Sequence, residues 1–177
     1  MNMLSVKVSL AVAVAVVFLG GCVSQTRAYK PGNENEPVIA KTMSLGSYEL
    51  QGVNDDERPE ADEVAKKFIT KFAQDLSEKG LRVSGSNETS ELVVTFAVMY
   101  RTRTLVSIML PIPIPIPTGR RTELMVVAAV KRGAETVLAV SGYQPGGIIL
   151  PVSFFVNSVS KQIVQEFGDK IKLTAPN

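Results

Sequence analysis

The side chains that could do chemistry are few, because the chain of 177 residues contains no histidine and only one cysteine. The lack of histidine excludes His-dependent acid–base catalysis, Ser-His-Asp and Cys-His catalytic groups, and the commonest metal ligand. With Cys22 alone, the chain can form neither an internal disulfide nor a cysteine-based zinc site. Cys22 follows an apolar run, residues 8–19, and two glycines, Gly20 and Gly21. The chemistry to explain is therefore that of one thiol at the end of an apolar segment.

The apolar run before Cys22 has the size of the hydrophobic region of a signal peptide. Its twelve residues are too few to cross, as a helix, a hydrocarbon core of roughly 30 Å. An ordinary secretory signal with a chance cysteine, or a short membrane anchor, would also contain such a run. We favour a lipoprotein signal, because an unpaired thiol is a liability in an oxidising compartment and lipidation converts it to a thioether.

The residues around the cysteine resemble the lipobox of bacterial type II signal peptides, in which Leu, a small residue, and Gly or Ala precede Cys. Those four positions are occupied here by Leu19, Gly20, Gly21 and Cys22. The resemblance implies removal of residues 1–21, diacylglycerol on the Cys22 sulfur, and a further acyl chain, such as palmitate, on the new amine. Two or three acyl chains anchor a protein stably to a membrane. In enteric-type bacteria an Asp after this cysteine retains a lipoprotein at the inner membrane, so Val23 implies the periplasmic side of the outer membrane.

The mature chain is predicted to consist of a tether, one domain and a tail. Residues 22–40 are polar, contain Pro31 and Pro37 and lack periodicity, which predicts a flexible tether behind the lipidated cysteine. Residues 41–170 are expected to form one α+β domain, large enough to bury a core without disulfides or metals. Residues 171–177 are expected to be a loose tail. The net charge of +2 favours neither nucleic-acid binding nor a polybasic membrane surface.

Two amphipathic helices and several strands are predicted inside the domain. Pro59 suits the first turn of a helix over residues 59–79, and apolar residues repeat along it at helical spacing up to Gly80. A second helix is predicted over residues 151–167, with Gly168 as a stop. The strands are predicted at residues 47–53, 92–104, 123–131 and 135–143, with a short strand or turn at 81–83. On the longest strand, the bulkier alternate residues are expected to face the helices: Leu92, Val94, Phe96, Val98 and Tyr100.

This order of elements predicts an α+β fold with a single, mainly antiparallel sheet of four to five strands and two helices packed on one face. The order, and the passage from the first helix to ELVVTF at residues 91–96, is similar to small domains of uncharacterised Gram-negative envelope lipoproteins. The similarity covers roughly residues 40–170 and implies a lipobox and linker before a β-α-β-β-β-α domain. It also implies a general shape shared with lipoproteins that assist envelope assembly, and it implies no catalytic residues.

The most unusual internal segment is the alternation of proline and isoleucine at residues 111–117, called here the Pro/Ile arm. In an extended chain, proline at every second position removes all N–H donors from one edge and disfavours the helical conformation. Such a segment can pair on one side only. It is either a rigid hairpin arm or edge strand packed on its own domain, or an exposed ridge of Ile112, Ile114 and Ile116 that docks on a partner or a lipid surface.

Four arginines flank the Pro/Ile arm: Arg101, Arg103, Arg120 and Arg121. At the base of the arm, these cations could meet lipid phosphates or an acidic partner, or they could end the strands in solvent. The acidic residues between positions 55 and 63 lack the spacing of a calcium-binding loop and are expected to stabilise the start of the first helix. We therefore expect no metal and no cofactor.

The leading functional interpretation is a non-enzymatic, membrane-anchored lipoprotein of the bacterial envelope. It would act as a binding or assembly component through the Pro/Ile arm, with an unidentified envelope protein as its partner. One alternative is a periplasmic carrier of lipid or a small ligand, which requires an apolar cavity between the sheet and the helices. Another is an envelope hydrolase, which requires a cleft lined by two acids.

Overall fold

A five-stranded sheet with two helices on one of its faces organises the protein in the computed structural model, which describes residues 25–31, 36–84, 90–104, 120–146 and 150–174. The elements follow the chain in the order β1 (Gln25–Tyr29), β2 (Val38–Ala40), β3 (Met43–Leu50), α1 (Arg58–Glu78), β4 (Leu92–Thr104), β5 (Arg120–Arg132), β6 (Glu135–Gln144), α2 (Val152–Lys170) and β7 (Ile171–Leu173).

The main sheet has the strand order β1-β6-β5-β4-β3. Antiparallel pairing joins β1 to β6, β6 to β5 and β5 to β4, whereas β3 pairs in parallel with β4 across the α1 crossover. A second, two-stranded sheet is formed by β2 and β7 in parallel. The predicted α+β fold, with a mainly antiparallel sheet and two helices on one face, is confirmed.

The core lies between the helices and the sheet face that they cover. On β4 the residues predicted to face the helices, from Leu92 to Tyr100, are all buried. Four phenylalanine rings meet at the centre: Phe68, Phe72, Phe96 and Phe167. The ring of Phe72 meets those of Phe96 and Phe167 edge-on, with centroids 5.3 and 5.5 Å apart. Such edge-to-face contacts fix the positions of the two helices relative to the sheet.

Helix α1 follows its sequence prediction to within one residue at each end. It begins at Arg58, with Pro59 in the first turn, and the chain leaves it through Gly80. The φ angle of Gly80 is 79°, in the left-handed region that glycine adopts without strain.

Helix α2 continues to Lys170, although Gly168 was predicted to end it near residue 167. A single glycine inside a helix costs only about 1 kcal/mol. Helix α2 continues past Gly168 because Phe167 and Ile171, which lie on either side of that glycine in the sequence, are both buried in the core. It ends where Ile171 becomes extended and enters β7.

The structure differs from the sequence prediction at both ends of the domain. Gln25–Tyr29 and Val38–Ala40 lie within the predicted tether, yet they form β1 and β2. Ile171–Leu173 lies within the predicted loose tail, yet it forms β7 against β2. β1 carries no alternating pattern because it is an edge strand, on which four of the five residues are exposed. β2 and β7 have three residues each, too few for a periodic signal.

Smaller differences concern two predicted strands. β3 occupies Met43–Leu50, earlier than the predicted 47–53, and it ends before Gly52, whose φ angle is 62°. Residues 81–83, predicted as a short strand or a turn, form no strand in the described part of the chain, and the next residue, Ser84, makes an isolated bridge to Ser44.

Candidate functional site

The β4–β5 hairpin holds the two ends of the chain segment that contains the Pro/Ile arm. The two strands pair without interruption from Val93 opposite Lys131 to Thr104 opposite Arg120, a ladder of twelve residue pairs. Residues 105–119 therefore leave and re-enter the sheet at neighbouring positions. We call the end of the main sheet at which Thr104 pairs with Arg120 the hairpin end.

The ladder brings the four predicted arginine positions together at the hairpin end. Arg101 lies opposite Glu123, and Arg103 lies opposite Arg121. The guanidinium of Arg101 covers Gly52, since a Cβ on that glycine would lie 3.1 Å from Arg101 Nη2.

The other predicted site residues lie outside the residues that the structure describes: Leu19, Gly20, Gly21, Cys22, Ile112, Ile114 and Ile116. Chain connectivity alone relates them to the fold. Cys22 precedes β1 by three residues, and the isoleucines belong to the segment that joins β4 to β5.

A row of three hydroxyl–carboxylate hydrogen bonds joins the start of α1 to the sheet near the hairpin end. The hydroxyl of Tyr48 donates to Asp62 at 2.5 Å, that of Tyr100 to Glu60 at 2.6 Å, and that of Thr102 to Glu57 at 2.8 Å. From the sequence, these acids were expected only to stabilise the start of the first helix. Their partners could have been sought among the hydroxyl residues at the helix-facing end of β4, where Tyr100 and Thr102 alternate with arginines.

The Tyr48–Asp62 bond lies beside an open cleft of about 600 Å³. Its lining residues are Tyr48, Glu49, Leu50, Asp55, Arg58, Pro59 and Asp62. The Lys66 ammonium, 2.6 Å from Asp62, and then the Tyr48 hydroxyl lower the pKa of Asp62 by stabilising its ionised form. The same hydrogen bond raises the pKa of Tyr48, because the carboxylate holds the phenol proton. At neutral pH the carboxyl group of Asp62 is therefore ionised, and the hydroxyl of Tyr48 keeps its proton.

A second polar cluster lies between the two helices. Asp75 is buried, and its two oxygens accept hydrogen bonds from Ser160 Oγ at 2.5 Å and from Lys71 Nζ at 2.6 Å. Ser160 is fully buried, so its hydroxyl is not accessible as a nucleophile. The carboxylate instead links α1 to α2 and raises the pKa of Lys71 through this hydrogen bond.

A chain of hydrogen bonds ties β1 to α2 and to the end of β6. Thr26 donates to Gln162 at 3.0 Å, Gln162 donates to Ser158 at 3.1 Å, and Ser158 donates to Gln144 at 2.6 Å. Gln144 is buried. The strand that follows Cys22 is thus joined to the body of the domain by side chains as well as by its ladder.

Neither described helix packs on the second face of the main sheet, called here the open sheet face. Its central positions are half-buried and mainly small or apolar: Val93, Thr95, Ala97, Met99, Met125, Val127, Ala129, Ala139, Ser141 and Tyr143. Register places Met99, Met125 and Tyr143 side by side on three adjacent strands. A face of this composition is suited to contact with another protein surface.

The space that a carried ligand would need, between the sheet and the helices, is filled by buried side chains of the core. The part of the chain that the structure describes holds no group of three or more acidic or cysteine side chains able to bind a metal ion. Over the same described residues, neither helix combines the length and apolar character needed to cross a membrane.

No protein-family model matches the chain, and no curated protein matches it. Solved structures are similar to it in fold. A point variant of PelC from Paraburkholderia phytofirmans, described as a dodecamer, has a TM-score of 0.52 and 12% identity over 85% of this chain and 99% of that chain. The PelC dodecamer in another crystal form has a TM-score of 0.50 and 11% identity over the same shares of the two chains. A DUF4136 family protein from Bacteroides thetaiotaomicron has a TM-score of 0.39 and 11% identity, over 83% of this chain and 94% of that one. The similarity to PelC establishes a shared fold.

Proposed function

We propose that the protein is a lipoprotein of the bacterial envelope, anchored through acyl chains on Cys22 to the periplasmic side of the outer membrane. It acts by binding or assembling envelope components and catalyses no reaction. The Pro/Ile arm is its contact segment.

The observation that carries this proposal is the uninterrupted β4–β5 ladder up to Thr104 and Arg120. Because twelve residue pairs fix both ends of the connecting segment, the Pro/Ile arm is attached to a rigid support. Its alternating prolines restrict the backbone further. A contact segment that is restricted before binding loses less conformational entropy on binding, and this favours a role in recognition.

One cleft is lined by two acids, Asp55 and Asp62, as an envelope hydrolase would require. The chemistry of these acids nevertheless disfavours hydrolysis. Hydrolysis by two carboxyl groups needs one that retains its proton near neutral pH. Asp62 is held ionised by Lys66 and Tyr48. The other two acids that line the cleft, Asp55 and Glu49, are exposed to solvent.

The binding role includes self-association through the open sheet face. Two features support this extension. The row of Met99, Met125 and Tyr143 leaves half-buried apolar surface on one side of the sheet. PelC, which shares the fold, is described as a dodecamer.

The test of the binding role is deletion of residues 111–117, with crosslinking and mass spectrometry in intact cells. We expect the deletion variant to keep the circular dichroism spectrum of the folded domain and to lose the crosslinks to envelope components. A matched variant, in which Ile112, Ile114 and Ile116 are replaced by serine and the prolines are kept, separates the apolar ridge from the backbone. Crosslinks that are unchanged by the deletion would show that the Pro/Ile arm is not the contact segment.

A further inference from the structure

The edge of the main sheet formed by β3 has backbone groups that point away from the sheet. No described strand lies on the outer side of β3, which is the last strand of the sheet order. Gln51 donates its N–H to β4, and successive residues of a strand direct their backbone groups to opposite sides. The backbone groups of Leu50 and Tyr48 therefore point outward. Nearer the start of β3 the edge is already occupied, because Ser84 donates to the carbonyl of Met43.

The opposite edge of the sheet, formed by β1, matches the free edge of β3. Followed through the registers of the sheet, the same alternation directs the backbone groups of Arg27 to β6 and those of Thr26 and Ala28 outward. The registers also place Thr26 level with Leu50, and Ala28 level with Tyr48. β1 runs antiparallel to β3, because three of the four pairings between them are antiparallel. The two edges of different copies can thus form an antiparallel ladder.

A cleft accompanies the free edge of β3. It is the open cleft of about 600 Å³ that has β3 on one side and the start of α1 on the other. Three carboxylates and one guanidinium line it, and two of the carboxylates, those of Glu49 and Asp55, are exposed. β1 carries the opposite charge, since Arg27 is its one ionisable side chain apart from Tyr29. A groove between a sheet edge and a helix is suited to the addition of an extended strand.

We propose that the protein associates head-to-tail, with β1 of one copy added antiparallel to the free edge of β3 of the next. This contact goes beyond the proposed function, because it uses neither the open sheet face nor the Pro/Ile arm. Each copy has both edges, so the association closes into a ring or continues as a chain. The register joins residues at the same level of the sheet, which are Thr26 with Leu50, Arg27 with Glu49, and Ala28 with Tyr48 of the next copy.

Charge selects this pairing over the two in which like edges meet. In the proposed register, Arg27 and Glu49 form a pair without mutual hydrogen bonds, the kind in which opposing side chains lie closest. Opposite charges stabilise such a pair, and like charges destabilise it. Two β1 strands paired through their outward groups would place Arg27 opposite Arg27, and two β3 strands would place Glu49 opposite Glu49. A charge in the middle of an edge strand discourages pairing unless the partner carries the opposite charge.

The test traps the register with cysteines at positions 25 and 51, which the proposal places opposite each other in adjacent copies. Within one copy these positions lie at opposite edges of the sheet, four strand spacings or about 19 Å apart, too far for a disulfide. The full chain with Gln25→Cys and Gln51→Cys, purified in detergent and oxidised with copper phenanthroline, should form dimers, trimers and larger species on a non-reducing gel. The control with Gln25→Cys and Ser47→Cys shifts the match by four residues and should crosslink several-fold less.

Charge reversal in the matched cysteine variant tests the pairing itself. Arg27→Glu should lower the crosslinked fraction several-fold, and the further change Glu49→Arg should restore it, because the pair is then reversed instead of lost. The single variant Gln51→Cys measures any crosslinking through Cys22, the only native cysteine. Equal crosslinking in the matched and shifted variants, or charge reversals without effect, would overturn the edge contact.

The edge contact is separable from association through the open sheet face. A contact of a few residue pairs is small and therefore weak on its own, so a disulfide captures it whereas dilution disperses it. Met125→Glu, on the open sheet face, should leave the crosslinked species unchanged. Crosslinking of position 51 to a copurified protein instead of to a second copy would assign the cleft to another strand and would overturn the pairing of β1 with β3.

Discussion

Replacing Asp75 by alanine tests whether the buried carboxylate between the helices stabilises the fold in the way its contacts indicate. The change leaves the fully buried Ser160 hydroxyl without its acceptor, which costs about 1–3 kcal/mol. Lys71 also loses its partner, but its side chain is 23% exposed and can be solvated, so this loss adds only about 0.5 kcal/mol. Removal of a buried charge offsets part of the total. We expect Asp75→Ala to lower the free energy of unfolding by about 2 kcal/mol.

The assay is urea unfolding of residues 23–177, for which a slope of about 2 kcal/mol per molar converts this loss into a midpoint shift of about 1 M. Glu78→Ala, on the exposed side of the same helix, is the control and should change stability by less than about 0.5 kcal/mol. The sharper signature is the double variant with Ser160→Ala, which removes the orphaned hydroxyl and should be more stable than Asp75→Ala alone. If the double variant loses the sum of the stability lost in Asp75→Ala and in Ser160→Ala, the hydrogen bond between these two residues does not stabilise the fold in this way.

Two further predictions concern pH and association. The lowered pKa of Asp62 means that its stabilising contribution is complete above its unfolded value, near 3.8, and is lost as pH falls through the lower folded value. Urea midpoints measured between about pH 6 and pH 2 should therefore fall less steeply for Asp62→Asn than for the native chain, and parallel curves would contradict this. The proposed self-association predicts that Met125→Glu, which places a charge at the centre of the open sheet face, shifts the protein to monomer in sedimentation velocity, whereas Lys161→Glu on the exposed side of α2 does not. A Met125→Glu protein that sediments like the native chain would exclude this face as the contact between copies.

The elements that could be predicted from the sequence are those with many repeated signals. The sequence predicts β4 at residues 92–104 because bulky apolar residues occupy every second position from Leu92 to Tyr100. The sequence predicts α1 to within one residue at each end because Pro59, the apolar stripe and Gly80 all indicate the same helix. In both cases burial enforces the pattern, since a shift of one residue in β4 would turn its apolar set away from the helices.

The features that could not be predicted depend on residues far apart in the chain. β1 has no pattern of its own and is defined by its pairing with β6, more than a hundred residues later. The hydroxyl–carboxylate row joins Tyr100 to Glu60 and Thr102 to Glu57, pairs that only the packing of α1 on the sheet brings together. In the sequence, Asp75 cannot be told from the other polar residues of its helix. Only the folded structure places Ser160 of α2 next to it. Local propensity contains no information about such partners.

The pairing of β1 with β6 also sets an order of events during the synthesis of the protein. Gln25 is made early, but its partner Tyr143 is made 118 residues later (143 − 25), so the first strand to emerge completes the sheet only after nearly all of the chain exists. Whenever β1 is not yet paired with it, the outer edge of β6 presents unpaired backbone groups, which are a template for pairing with other chains. The closing of this sheet edge is therefore among the last steps in the formation of the main sheet.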